Sequence, residues 1–218
     1  MTEWIRRLSP GSELLLINLI CFGPFAAWSA WVLLSGTREY VYDDRRLMTI
    51  VAIEIVCGLL AAVILRARGW KLSDFGLFAT MPETIWGFVL MFGTNITLAL
   101  MSLAIAEIAG REIGSSMKFG SSASILTIVV LTLVNPLYEE FFEVAYNTRA
   151  TESEGAAFAI TLSAAIRFAC NLYQGAVAAA TVLPLGIIFA AVYWRWRRLW
   201  PLVVAHGVAD MIGLLPEV

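Results

Sequence analysis

Three carboxylates fall within five residues of an otherwise apolar and aromatic stretch, Asn135-Pro136-Leu137-Tyr138-Glu139-Glu140-Phe141-Phe142-Glu143. Glu139, Glu140 and Glu143 cannot all remain charged in dry surroundings. A carboxylate that takes up and returns a proton near neutrality is what general acid–base catalysis uses. The plainer alternative is that this stretch emerges among lipid headgroups, where glutamates cost little. His206, the single histidine of the chain, precedes Asp210 by four residues, so the two share one helical face. Asp210 could orient the imidazole, fix its tautomer or share its proton; equally, the pair could simply tie two helices together. Arg167 and Asn171 are also four apart, with Gln174 next on the same face. An arginine inside the run TLSAAIRFACNLYQG needs a carboxylate partner, and the glutamates of 139–143 are the natural candidates. Such a pair, which could be purely structural, would still draw Asn171 toward the acidic cluster. Glu54, Asn18 and Asn95 are isolated in apolar runs and read as interhelical hydrogen-bonding groups.

These residues lie in a chain built for lipid. Of its 218 residues 60% are hydrophobic and only 15% charged, against roughly 45–50% and 25% in a soluble domain. The net charge of −2 excludes a strongly basic nucleic-acid binder. Cys21, Cys57 and Cys170 stand singly, without the paired spacing of a disulfide or metal set. Seven apolar stretches, at about 13–35, 47–66, 83–109, 122–148, 156–174, 176–194 and 199–216, approach or reach the roughly 20 residues that cross a bilayer as a helix. They lack the alternation of barrel strands, so the expected fold is all-α: a polytopic membrane helix bundle of about seven transmembrane helices, forming a single integral domain over residues 1–218. The first stretch follows Arg6 and Arg7 but is too long for a signal-peptide core, and carries Trp28 and Trp31 where cleavage would need small residues. It reads as a retained helix. Residues 69–80 read as a short interfacial segment, and Trp194, Trp196 and Trp200 among arginines as an interfacial belt. With the N-terminus in the cytoplasm, nine basic residues fall inside (Arg6, Arg7, Arg66, Arg68, Lys71, Arg149, Arg195, Arg197, Arg198) and five outside (Arg38, Arg45, Arg46, Arg111, Lys118). This favours a cytoplasmic N-terminus and an external C-terminus.

The three polar clusters, in this order, resemble the CPBP family of intramembrane proteases, which takes in the prenyl-protein (CAAX) endopeptidases and bacteriocin-processing and self-immunity proteins. Glu139-Glu140 is similar to the family's EExxxR motif. Arg167–Gly175 stands where its second motif ends in a histidine, and His206 with Asp210 is similar to its HxxxN or HxxxD motif. Leu72-Ser73-Asp74-Phe75-Gly76-Leu77 also looks like the family's segment ahead of its core, and residues 122–216 resemble that core. Two positions depart: Val144 replaces the arginine of the first motif, and Asn171 replaces the second-motif histidine.

The resemblance implies an endopeptidase acting on peptide or protein substrates in the membrane, prenylated ones included. It makes Glu139 the base for a bound water and Glu140 its support, and His206 and Asp210 the groups that meet the oxyanion. Asn171 would position water, and Arg167, Glu143 and Tyr173 would bind substrate or brace the site. Asparagine cannot accept the water's proton at neutral pH, so the implied activity is weak or lost. A non-catalytic relative serving as an immunity or scaffold protein stays open. So does a small proton-coupled transporter, against which stands the absence of a visible inverted repeat. Members of the family are often called metalloproteases. This chain has no HExxH and one histidine, so zinc is not favoured and no cofactor is expected. The expected setting is a bacterial plasma membrane, spanned several times. Helix depth adds a condition. Glu139 and His206 lie toward the cytoplasmic side of their spans and Asn171 toward the outer end of the fifth. They converge only if that helix is displaced, tilted or broken near Tyr173-Gln174-Gly175, or if the boundaries above are misplaced.

Overall fold

In the computed structural model of the chain, residues 2–36, 39–109 and 118–215 are described. The helices are α1 (Thr2–Arg6), α2 (Pro10–Cys21), α3 (Gly23–Ser35), α4 (Asp44–Arg68), α5 (Met81–Ala109), α6 (Ile125–Glu139), α7 (Asn147–Ala150), α8 (Ala156–Asn171), α9 (Ala176–Thr181), α10 (Leu183–Trp196) and α11 (Trp200–Leu214). Local chemistry sets their ends. The Ser9 hydroxyl accepts from Ser12 N at 3.1 Å ahead of Pro10, the Asp43 carboxylate from Arg46 N at 2.8 Å, and the Ser124 hydroxyl from Thr127 N at 3.4 Å.

Among the described residues five segments are long and apolar enough to span a membrane: Asp44–Arg68, Met81–Met101, Ile125–Ala150, Ala156–Gln174 and Ala179–Trp196. The chain is thus a multi-pass integral membrane protein with a helical bundle fold. Seven full spans are not observed. The first stretch is a pair, α2 and α3, bent by 55°; Pro24 has no N–H for the helical bond back to residue 20, so the turn breaks there. The last, α11, has 15 residues, about 22 Å of helix against a hydrocarbon layer of about 30 Å. The stretch 176–194 has a short irregularity at Val182, between α9 and α10, which the span Ala179–Trp196 runs through. The segment after α4 winds as a 3-10 turn, Leu72–Phe75, at the same end as α1. Strands β1 (Glu39–Tyr42) and β2 (Lys118–Ser121) pair in parallel, Glu39 opposite Lys118 and Tyr42 opposite Ser121, a feature the apolar pattern did not signal.

Two departures from regular helix serve the site. After Glu139 the backbone widens to a π turn over Glu140–Tyr146 before α7 resumes, a deviation that re-aims side chains and is common at functional sites. Upstream, Pro136 inside α6 has no N–H for the Thr132 carbonyl. Helix α11 comes up against that carbonyl at Gly207, where an added Cβ would lie 2.9 Å from the Thr132 oxygen and 3.5 Å from the Pro136 ring. This close approach brings His206, the residue before Gly207, against α6. Gly207→Ala is therefore expected to push α11 outward, lowering thermal stability in detergent by about 1–3 kcal/mol and reducing any activity that depends on His206. A variant that melts like the parent would refute the close approach.

Candidate active site

Arg167, on α8, is buried at the centre of the acidic cluster. Its Nη2 donates to Glu140 Oε1 at 2.7 Å, its Nε lies 2.6 Å from Glu143 Oε1, and its Nη1 lies 3.6 Å from Glu139 Oε2. One guanidinium thus faces three carboxylates from the end of α6 and the π turn, and the widened turn presents all three to one side. Glu140 and Glu143 are sealed from solvent, whereas the Glu139 side chain keeps 27% of its surface exposed.

From α11, His206 places Nδ1 2.7 Å from the same Glu140 oxygen, while Nε2 lies 3.4 Å from Asp210 Oδ2 and 3.9 Å from Glu139 Oε2. With Glu140 ionised, the Nδ1 proton belongs on that bond and Nε2 faces the open side. Helix α8 ends at Asn171, Leu172–Gln174 continue as a 3-10 turn, and Gly175 takes φ 96, a conformation glycine adopts at little cost. The helix is thus broken at Tyr173-Gln174-Gly175, one of the arrangements under which the clusters could converge. Asn171 Nδ2 donates to the Arg167 carbonyl at 2.9 Å and its Oδ1 accepts from Gln174 Nε2 at 2.7 Å.

Glu139, Asn171, His206, Asp210 and Arg167 all line one cavity of about 400 Å3. Glu140 and Glu143 lie behind its wall, Glu140 tying arginine to imidazole and Glu143 bracing the arginine. Tyr173 sits at the cavity's far end, its hydroxyl 2.8 Å from that of Tyr42 and its ring centroid 5.1 Å from that of Trp28.

The structure adds residues that sequence spacing left isolated. Glu54 of α4 is buried and accepts from Asn135 Nδ2 at 2.6 Å; the same nitrogen lies 3.2 Å from Glu139 Oε1. Asn135 therefore links a second helix's carboxylate to Glu139, and Glu54 and Asn95 both line the cavity. A carboxylate alone within the apolar stretch 47–66 of α4 was the signal for Glu54. Asn18 does bridge helices, exchanging hydrogen bonds of 2.7 and 3.0 Å with Asn147. Asn135→Leu is expected to cost about 1–3 kcal/mol by leaving the Glu54 carboxyl buried without its donor, and Glu54→Leu in the same chain to recover much of the loss. Chemical denaturation in detergent checks both; equal stability of the single variant and the parent would contradict the link.

No three His, Cys, Asp or Glu side chains among the described residues converge to hold a metal ion. Arg167 already occupies the position between the glutamates that a cation would take.

Residues 121–212, less than half of the chain, match the family model described as Rce1-like, type II CAAX prenyl endopeptidase, consistent with the CPBP resemblance of the three motifs. No curated protein and no solved structure matches the chain.

Proposed function

We propose that the chain is an intramembrane endopeptidase that hydrolyses peptide bonds of membrane-anchored substrates, with Glu139 as base for a cavity water. The observation that carries this reading is the convergence of Glu139, His206 and Asp210 on one cavity, with Arg167 and Glu140 fixing them from behind. Glu139 takes a proton from water as the oxygen adds to the peptide carbonyl. His206 Nε2, when protonated, donates to the resulting oxyanion, a contribution worth several kcal/mol where water is excluded. Asp210, 3.4 Å from the same nitrogen, orients the ring beforehand and yields that contact to the oxyanion. Glu139 then returns its proton to the leaving nitrogen as the C–N bond breaks. Asn171 can hold the water but not deprotonate it, so proton transfer rests on Glu139 alone and turnover is slow. Membrane peptides and the bilayer are the partners of this reading, and no metal or other cofactor enters it. Stoichiometric zinc retained through a chelator-free purification would replace the metal-free scheme.

The full chain, purified and reconstituted in lipid, is expected to cleave a membrane-anchored quenched peptide, prenylated or not, and to lose at least about 10²-fold in rate as Glu139→Gln. Cleavage of no such peptide, or an unaffected Glu139→Gln variant, would overturn the proposal. A second reading, a non-catalytic relative that binds a partner in the same cavity, is favoured by Asn171, both of whose polar atoms are already engaged within the 167–174 segment. Its mark is a biological effect indifferent to Glu139→Gln.

A further inference from the structure

The two ends of the cavity differ. Toward the end where α6 gives way to α7, a chain of packed aromatic rings closes the bundle. Trp70 and Phe75 lie 5.4 Å apart between centroids, Phe75 and Phe141 4.6 Å, Phe141 and Phe142 4.9 Å, and Phe142 and Tyr138 5.2 Å. The Tyr193 hydroxyl donates to the Phe75 carbonyl at 3.0 Å and Leu199 N to the Gly76 carbonyl at 3.1 Å, clamping the Leu72–Phe75 turn over the rings. Phe75, Phe142, Tyr146, Tyr193 and Leu199 are all buried.

The opposite end of the cavity is bounded by Trp28, Tyr42, Tyr173, Gln174 and Gly213, beside the β1–β2 pair. All five are only partly covered or exposed. Of the cavity's two ends, the one toward the strand pair is therefore the open one and the one toward the rings the closed one.

The same two ends differ in charge. The sealed end carries arginines knitted across several chain segments: Arg68 to Glu13 and to the Arg6 carbonyl, Arg149 and Arg197 to Glu152, and Arg198 to Glu83. These belong to the nine basic residues that the sequence assigns to the cytoplasmic segments, against five assigned to the external ones, and basic flanks are retained in the cytoplasm.

We infer that the cavity opens to the non-cytoplasmic face of the membrane, so that the peptides it admits are segments emerging or anchored on that side. A peptide held in the cytoplasmic leaflet would meet the closed aromatic end. The inference takes the word substrate from the peptidase reading above, but the direction of access stands on geometry and charge alone.

Cysteine labelling in intact cells tests it, in a chain whose Cys21, Cys57 and Cys170 are replaced by Ala. Gly213→Cys is the cavity reporter, since an added Cβ there meets nothing within 4 Å. Glu154→Cys, in the exposed turn between α7 and α8, reports the sealed end. A membrane-impermeant maleimide added to intact cells is expected to label Gly213→Cys at least about tenfold faster than Glu154→Cys, and inverted vesicles to reverse the order. The opposite pattern, or equal labelling from both sides, would overturn the inference. Labelling does not depend on turnover. A chain labelled as expected that cleaves nothing keeps the direction of access and loses the peptidase reading; a chain that cleaves but labels from the cytoplasm does the reverse.

Discussion

Replacing Arg167 by Met is expected to destabilise the chain by about 3–5 kcal/mol, the largest structural loss of any single substitution in the site. The guanidinium is buried and paired with Glu139, Glu140 and Glu143, two of which have no exposure to solvent of their own. Forming a buried ion pair gains little, because both groups give up water, but removing one partner strands the other in low dielectric. Here a single deletion takes the cation from two buried carboxylates and from a third that is partly exposed. Arg167→Lys is expected to recover only part of the loss, because an ammonium cannot place three separate nitrogens against three carboxylates in a fixed plane. Thermal unfolding in mild detergent and the yield of monodisperse protein measure both variants. A Met variant as stable as the parent would mean that the acidic cluster does not depend on this cation.

Asn171→His is expected to raise the rate of peptide cleavage by about 10²-fold, with little change in KM. The side chain at this position lines the cavity that holds Glu139 and His206, so an imidazole there could share the proton transfer proposed for Glu139, and an engaged acid–base group contributes about 10²–10⁴-fold. The gain would lie at the lower end, since the new ring must displace the hydrogen bond from Gln174. Initial rates at saturating and limiting peptide separate kcat from KM. No gain in kcat, with the parent cleaving measurably, would show that proton transfer at this position does not limit the reaction.

Much of the site was legible because lipid makes polar residues conspicuous. Glu139, Glu140, Arg167, His206 and Asp210 could be picked from the chain since each interrupts an apolar run, and i,i+4 spacing alone placed His206 with Asp210. The pairing of Arg167 with the glutamates followed from charge balance. Less was legible where backbone geometry decides the outcome. Nothing in the residue types from Glu140 to Tyr146 distinguishes a π turn from continued α-helix, yet that turn is what presents three carboxylates to one arginine. The 55° bend within the first stretch was marked by Gly23-Pro24, although total hydropathy concealed it, because both halves are equally apolar. Glu54 reads as an isolated group in a single helix, and only the packing of α4 on α6 joins it to Asn135. The strand pair escapes the periodicity altogether, as four residues on each side are too few to show alternation.

In the proposed reaction a carboxylate of α6 and an imidazole of α11 act as one hydrolytic unit. A double-variant cycle on cleavage of a membrane-anchored peptide tests it most directly, comparing the parent chain, Glu139→Gln, His206→Ala and the two together. Groups that act together fail together, so each single variant is expected to lose at least about 10²-fold, and the double variant to be little worse than either. Losses that simply multiply, or a cleavage rate indifferent to both substitutions, would contradict the claim.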